Sequence, residues 1–148
     1  MPINALTERE RERERSSHSH DLPILQKCTD AYKLWHSFLG DLPRLSRFTL
    51  GVKIDSLFTD TIELILLAGY ASKPQKAALV AQASTKLDAL KFFVQVAWEL
   101  KVLDNKKYLR VSEPLTEVGK MLGGWRKQLQ LPLESTGNQR DLETNRNR

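Results

Sequence analysis

The sequence predicts an all-α chain, an antiparallel up-down-up-down bundle of four helices. Three observations carry this reading. Apolar residues recur at spacings of three and four through four separate stretches. The stretches are joined by turns of about four or five residues, a length that makes consecutive helices antiparallel neighbours. No segment alternates apolar and polar residues in the way a half-buried strand does.

The first helix follows Asp21 and Pro23, with Leu25, Cys28, Tyr32, Trp35 and Leu39 on one stripe, and stops at Gly40. Asp41-Leu42-Pro43 turns the chain into a second helix from about Arg44 to Tyr70. Its apolar face is Leu50, Ile54, Leu57, Phe58, Ile62, Ile65 and Ala68. Ala71-Ser72-Lys73-Pro74 punctuates the chain again, with Pro74 suited to a first helical turn.

The third helix, Lys76 to Leu103, contains no Gly or Pro. With Lys86 at zero and 100° per residue, Leu79, Val80, Leu87, Leu90, Val94, Ala97 and Trp98 fall between about 20° and 120°. Phe92, Phe93, Val96, Leu100 and Leu103 fall between about 240° and 340°. A surface helix needs only about 100° of apolar arc, so this one requires cover on two sides. It is either the central helix of its bundle or faces another subunit. Lys86 stands within the apolar arc, where its stem packs and its ammonium snorkels out, or where it meets a carboxylate or an acidic partner.

Asp104 to Tyr108 reads as the next connection. The last helix then starts at a Ser112 cap with Pro114 in its first turn and carries Leu115, Val118, Leu122, Trp125 and Leu129 on one stripe. Gly119, Gly123 and Gly124 lie within it, and each costs a helix interior about 1 kcal/mol relative to alanine. Either a neighbouring helix approaches closely there or Gly123-Gly124 ends the helix.

Composition sets the frame around these elements. A chain of 148 residues, 41 % hydrophobic and 28 % charged, has room for one domain with one core. That domain spans 21–131, between tails at 1–20 and 132–148 too polar to offset their ordering entropy. No apolar run reaches the roughly 18 residues of a membrane span, and the first residues are too charged for a secretory signal, so a cytoplasmic location is expected. The single cysteine, Cys28, excludes an intramolecular disulfide and a cysteine zinc cage. It is expected to pack as a small apolar residue. The net charge is +5, and the bundle itself carries a surplus of about four positive charges, a modest attraction for phosphate that assembly would multiply.

Catalytic constellations are absent from the pattern. There is no phosphate-binding glycine loop, no GxSxG, no HExxH and no Glu-x-x-His pair of the di-iron bundles, so neither enzymatic activity nor a cofactor is expected. His18 and His20 fall short of the three or four ligands a zinc site needs. His36, between Trp35 and Phe38, lacks the rest of a phosphotransfer motif. Basic residues remain as the candidates. Arg44 and Arg47 lie one turn apart at the start of the second helix, Lys73 and Lys76 flank Pro74, Arg126 and Lys127 follow Trp125, and Lys106, Lys107 and Arg110 crowd the third connection. Helix starts offer free N–H groups that suit phosphate.

Two segments carry a family resemblance: Pro43-Arg44-Leu45-Ser46-Arg47-Phe48-Thr49-Leu50-Gly51 and Val118-Gly119-Lys120-Met121-Leu122-Gly123-Gly124-Trp125. With these motifs, the span from about Asp21 to Leu129 resembles the accessory variability determinants of diversity-generating retroelements. The resemblance implies a non-enzymatic subunit that assembles as a homopentameric barrel and binds the retroelement's reverse transcriptase. It also implies contact with the RNA template or single-stranded cDNA through Arg44, Arg47 and Lys91. Gln95 stands where relatives often carry a second basic residue one turn beyond Lys91. The wider four-helix-bundle group associated with 23S rRNA intervening sequences shares the fold and is the alternative, with a structural or interaction role, although its S-x-P-x-N-x-A-E-G-like stretch is absent here.

Overall fold

The computed structural model describes residues 7–9 and 22–146, with side chains for 7–9 and 23–130. Every regular element among these is helical. In chain order they are α1 (Leu22–Phe38), a 3-10 turn (Leu39–Asp41), α2 (Arg44–Phe48), α3 (Leu50–Tyr70), α4 (Lys73–Glu99) and α5 (Asn105–Arg146). Apart from residues 7–9, the expected tail at 1–20, with His18 and His20, lies outside the described residues.

Helix α3 packs against α4, α4 against α5, α5 against α1 and α1 against α3, while α2 lies on α3. This ring of neighbours encloses one core. Trp35 of α1 stacks on Phe58 of α3 with ring centroids 6.2 Å apart. Leu87, Leu90 and Val94 of α4 meet the same core as Leu115, Val118 and Leu122 of α5, all buried. Positions three and four apart share one face of a helix, which is why each stripe points inward as a unit. Full burial of each such side chain contributes roughly 1.5–3 kcal/mol.

The expected second helix is two helices. At Thr49 the backbone leaves helical geometry, with φ −111° and ψ −88°. The Thr49 hydroxyl donates to the Leu45 carbonyl at 2.9 Å, while its amide reaches the Ser46 carbonyl at 3.3 Å. A side chain thus takes the acceptor that a continuous helix would give to the amide. The bend lays α2 over Gly51, where a Cβ would stand 3.3 Å from the Ser46 carbonyl oxygen and 3.6 Å from Leu42 Cδ1. Glycine at this point of the Pro43–Gly51 motif permits the close approach.

Helix α4 starts at Lys73 rather than Lys76, with Ser72 in extended geometry and Pro74 in the first turn. It ends at Glu99, four residues before the expected Leu103. Lys101 adopts φ 62°. The Val102 amide donates to Ala97 O at 2.8 Å and the Lys101 amide to Trp98 O at 3.0 Å, the paired bonds of a Schellman ending. The chain then folds back, so that Leu103 is buried from outside the helix.

The connection expected at Asp104 to Tyr108 belongs to α5. Asp104, not Ser112, caps it: Asp104 Oδ1 accepts the Lys107 amide at 2.8 Å. Pro114 therefore lies in the helix interior, as does Pro132, and the helical span passes residue 131, where the bundle was expected to end. Gly123 and Gly124 lie mid-helix and have open space where a Cβ would stand. Neither expectation for that pair holds. Only Gly119 has a neighbour, Leu87 Cδ2 at 3.5 Å, an ordinary contact.

The second apolar arc of α4 is covered in part. Leu103 is buried, and Phe93 and Val96 are partly so, but Phe92 is 60 % and Leu100 65 % exposed. Trp98, assigned from sequence to the inward set, is also exposed. It stacks on Tyr108 at 4.9 Å and donates to Asn105 Oδ1 at 2.7 Å.

Candidate nucleic-acid and partner interface

The cations singled out from sequence fall into separate places. At one end of the bundle α4 begins with Lys73 and Lys76, and the Lys76 ammonium lies 5.9 Å from the centroid of the half-buried Trp125 on α5. Arg126 and Lys127 follow, both exposed. Two chain segments fifty residues apart thus meet through one contact between a cation and an aromatic ring. The start of α4 has no side-chain cap and no acidic residue in its first turn, so no carboxylate of that turn offsets the positive end of its dipole.

Arg44 and Arg47 sit elsewhere, on α2, and have different surroundings. Arg44 is exposed. Arg47 is turned inward: its Nη2 donates to Gly40 O at 2.9 Å and Leu42 O at 3.1 Å, closing the α1–α2 connection, and its Nε is buried without a partner. The neighbouring cations are engaged too. Lys107 Nζ lies 3.4 Å from Asp41 Oδ2 and 5.5 Å from the Phe38 ring, which Arg110 also approaches, at 5.6 Å.

Lys86 meets a carboxylate, the second of the two outcomes open from sequence, with its Nζ 3.4 Å from Asp60 Oδ2 on α3. Both groups are nearly half exposed, so the pair contributes little, on the order of 0–1 kcal/mol. Lys91 lines a groove between α4 and α5 together with Asp88, Gln95, Ser112 and Thr116, a polar strip with Phe92 at its edge.

Burial pushes the Cys28 thiol up to about 12, which keeps it protonated and unreactive. Tyr32 is raised as well, first by desolvation and then by its hydrogen bond to Asp55. Among the described residues no group of three or more His, Cys, Asp and Glu converges as a metal site, and no helix is long and apolar enough to cross a membrane. Sequence reasoning placed Trp125 only on an apolar stripe. Its following pair, Arg126-Lys127, was the available signal for a mixed aromatic and basic surface.

The family model described as bAvd-like matches residues 22–129. The chain belongs to the bAvd-like family. No curated protein and no solved structure matches it. The bAvd-like span begins at the first residue of α1 and reaches Leu129, one helical turn beyond Trp125, so it contains both motifs that carried the resemblance. Within this bAvd-like region Gly51 and Trp125 have distinct tasks: one lets α2 close on α3, the other receives Lys76.

Proposed function

We propose that this bAvd-like chain is a cytoplasmic, non-enzymatic accessory subunit of a diversity-generating retroelement. It assembles as a homopentamer, binds the element's reverse transcriptase and holds RNA template or single-stranded cDNA for mutagenic reverse transcription. Family membership supports the accessory role. The exposed Phe92 and Leu100 on α4, with Leu45 and Phe48 on α2, support assembly, which would cover apolar side chains that the single chain leaves in water. An up-down-up-down course supports a compact unit for such a ring. In support of that course, Lys53 of α3 reaches Phe93 while Asp60 reaches Lys86, and Phe38 of α1 meets Arg110 while Lys27 meets Glu117.

One observation carries the nucleic-acid reading: Lys76 over Trp125, with the exposed Lys73, Arg126 and Lys127 close to them in the chain. Phosphates suit the cations, and any base can stack on an indole face, which together give sequence-tolerant binding of single strands. Arg47 serves the fold, so the implied trio of Arg44, Arg47 and Lys91 is the weaker surface. The test is a salt titration of binding to a single-stranded RNA. Alanine at Lys73, Lys76, Arg126 and Lys127 lowers the slope of log K against log salt by roughly 0.7 for every phosphate that is no longer neutralised. Alanine at Arg44 and Lys91 leaves it nearly unchanged. The reverse pattern would move the binding surface to those two residues.

A further inference from the structure

Two bare surfaces of this chain differ in charge. The first is a spur, α2, on which Leu45 is 79 % and Phe48 66 % exposed, with the exposed Arg44 beside them. No acidic residue lies between Asp41 and Asp55, while Arg44, Arg47 and Lys53 do. The second is an open groove of about 500 Å³ between α3 and α4, with Leu64, Leu67 and Ala81 as its apolar walls and Asp60 and Glu63 at its edge. Lys86 also lines the groove but is engaged by Asp60, which leaves Glu63 as its uncompensated charge.

We propose that α2 of one copy of this chain seats in the α3–α4 groove of the next copy. The inference rests on the assembly reading above and names the surfaces that assembly uses. An apolar spur flanked by an arginine complements an apolar groove edged by carboxylates, and aromatic and arginine anchors are the groups that dominate interfaces. The spur cannot reach the groove of its own chain. Its base is held at Gly51, and Leu64 lies thirteen residues further along the straight α3, about 20 Å away at 1.5 Å per residue. A nucleic acid is a poor occupant, because Glu63, the groove's uncompensated charge, repels phosphate. Pairing of two spurs is also disfavoured, since it would bring Arg44 against Arg44. Because spur and groove are different patches, the contact is heterologous, and each copy keeps one of each free until a ring closes.

Cysteine cross-linking tests the assignment, since buried Cys28 does not compete for oxidant. A chain carrying both Leu45→Cys and Leu67→Cys, oxidised with glutathione disulfide, is expected to give a ladder of covalently joined chains. Each single variant alone is expected to give none, and a mixture of the two singles gives dimers containing one of each. Solution mass is measured on the same samples by light scattering. A multimeric mass without 45–67 linkage, or Leu45→Cys linking to itself, overturns the surfaces while assembly stands. A single-chain mass at micromolar concentration overturns the assembly reading itself. A second readout needs no cross-link: Arg44→Glu is expected to raise the concentration for half-assembly roughly tenfold or more, and Glu63→Arg in the same chain to recover most of that loss. Weakening without recovery overturns the Arg44–Glu63 pairing.

Discussion

Gly51 is the residue on which the α2–α3 junction depends. A methyl group there would meet the Ser46 carbonyl at 3.3 Å, and backbone yields less readily than the end of a side chain. Gly51→Ala is therefore expected to destabilise by about 1–3 kcal/mol, the range for overpacking a filled site, in spite of alanine's better helix propensity. Chemical denaturation would register this as a lower midpoint with an unchanged slope. Cys28 gives a second residue-scale expectation. Below the ordinary thiol value of 9.0 both folded and unfolded chains keep the proton, so the buried thiol adds no pH dependence. Above it the unfolded chain ionises while the folded one does not until about 12, and stability falls across that window. Urea midpoints from pH 7 to 10.5 should decline above pH 9, and less steeply in Cys28→Ala.

At the scale of the element, helix ends decide what differs between expectation and structure. Lys101, the one non-glycine residue with positive φ among those described, closes α4. Lys101→Gly relieves the left-handed strain and is expected to raise stability by up to about 1 kcal/mol, seen as a higher thermal midpoint. The cores of the helices were legible because burial repeats every three or four residues: Cys28, Trp35, Ile54, Phe58, Leu87, Val118 and Leu122 all read as inward and are buried. The ends were not. A lysine in a C′ position carries no glycine signal. Asp104 was passed over because Ser112-Pro114 imitates a helix start, and the break at Thr49 depends on a hydroxyl bond that no periodicity registers. The cations were legible one by one. That Lys76 would meet Trp125 depends on how two helices align, which spacing within either helix does not contain.

For the whole molecule the bare apolar surface is the controlling feature. Leu45, Phe48, Val52, Phe92 and Leu100 are all more than half exposed in the single chain. Five copies of the 17.0 kDa chain would give a particle of about 85 kDa. Light scattering across a concentration series is expected to return that mass at micromolar protein, and Phe48→Glu to shift it toward the single chain while leaving the helical signal in place.

The order in which the helices meet bears on how the chain reaches its fold. Three of the four seams, α1–α3, α3–α4 and α4–α5, join helices that are consecutive or separated only by short α2, so each closes a short loop. The seam between α1 and α5, tied at its surface by Lys27 and Glu117, brings together residues ninety positions apart. Loop-closure entropy makes this the late event on the pathway, even though the difference grows only with the logarithm of loop length. Truncations at the α3–α4 seam, such as Phe93→Ala beneath Lys53, should therefore mainly slow refolding, whereas Phe38→Ala, which faces Lys107 and Arg110 across the distant seam, should mainly hasten unfolding. Stopped-flow rates on the two variants separate those limbs. The first and last helices, not the long central one, then set the lifetime of the folded chain.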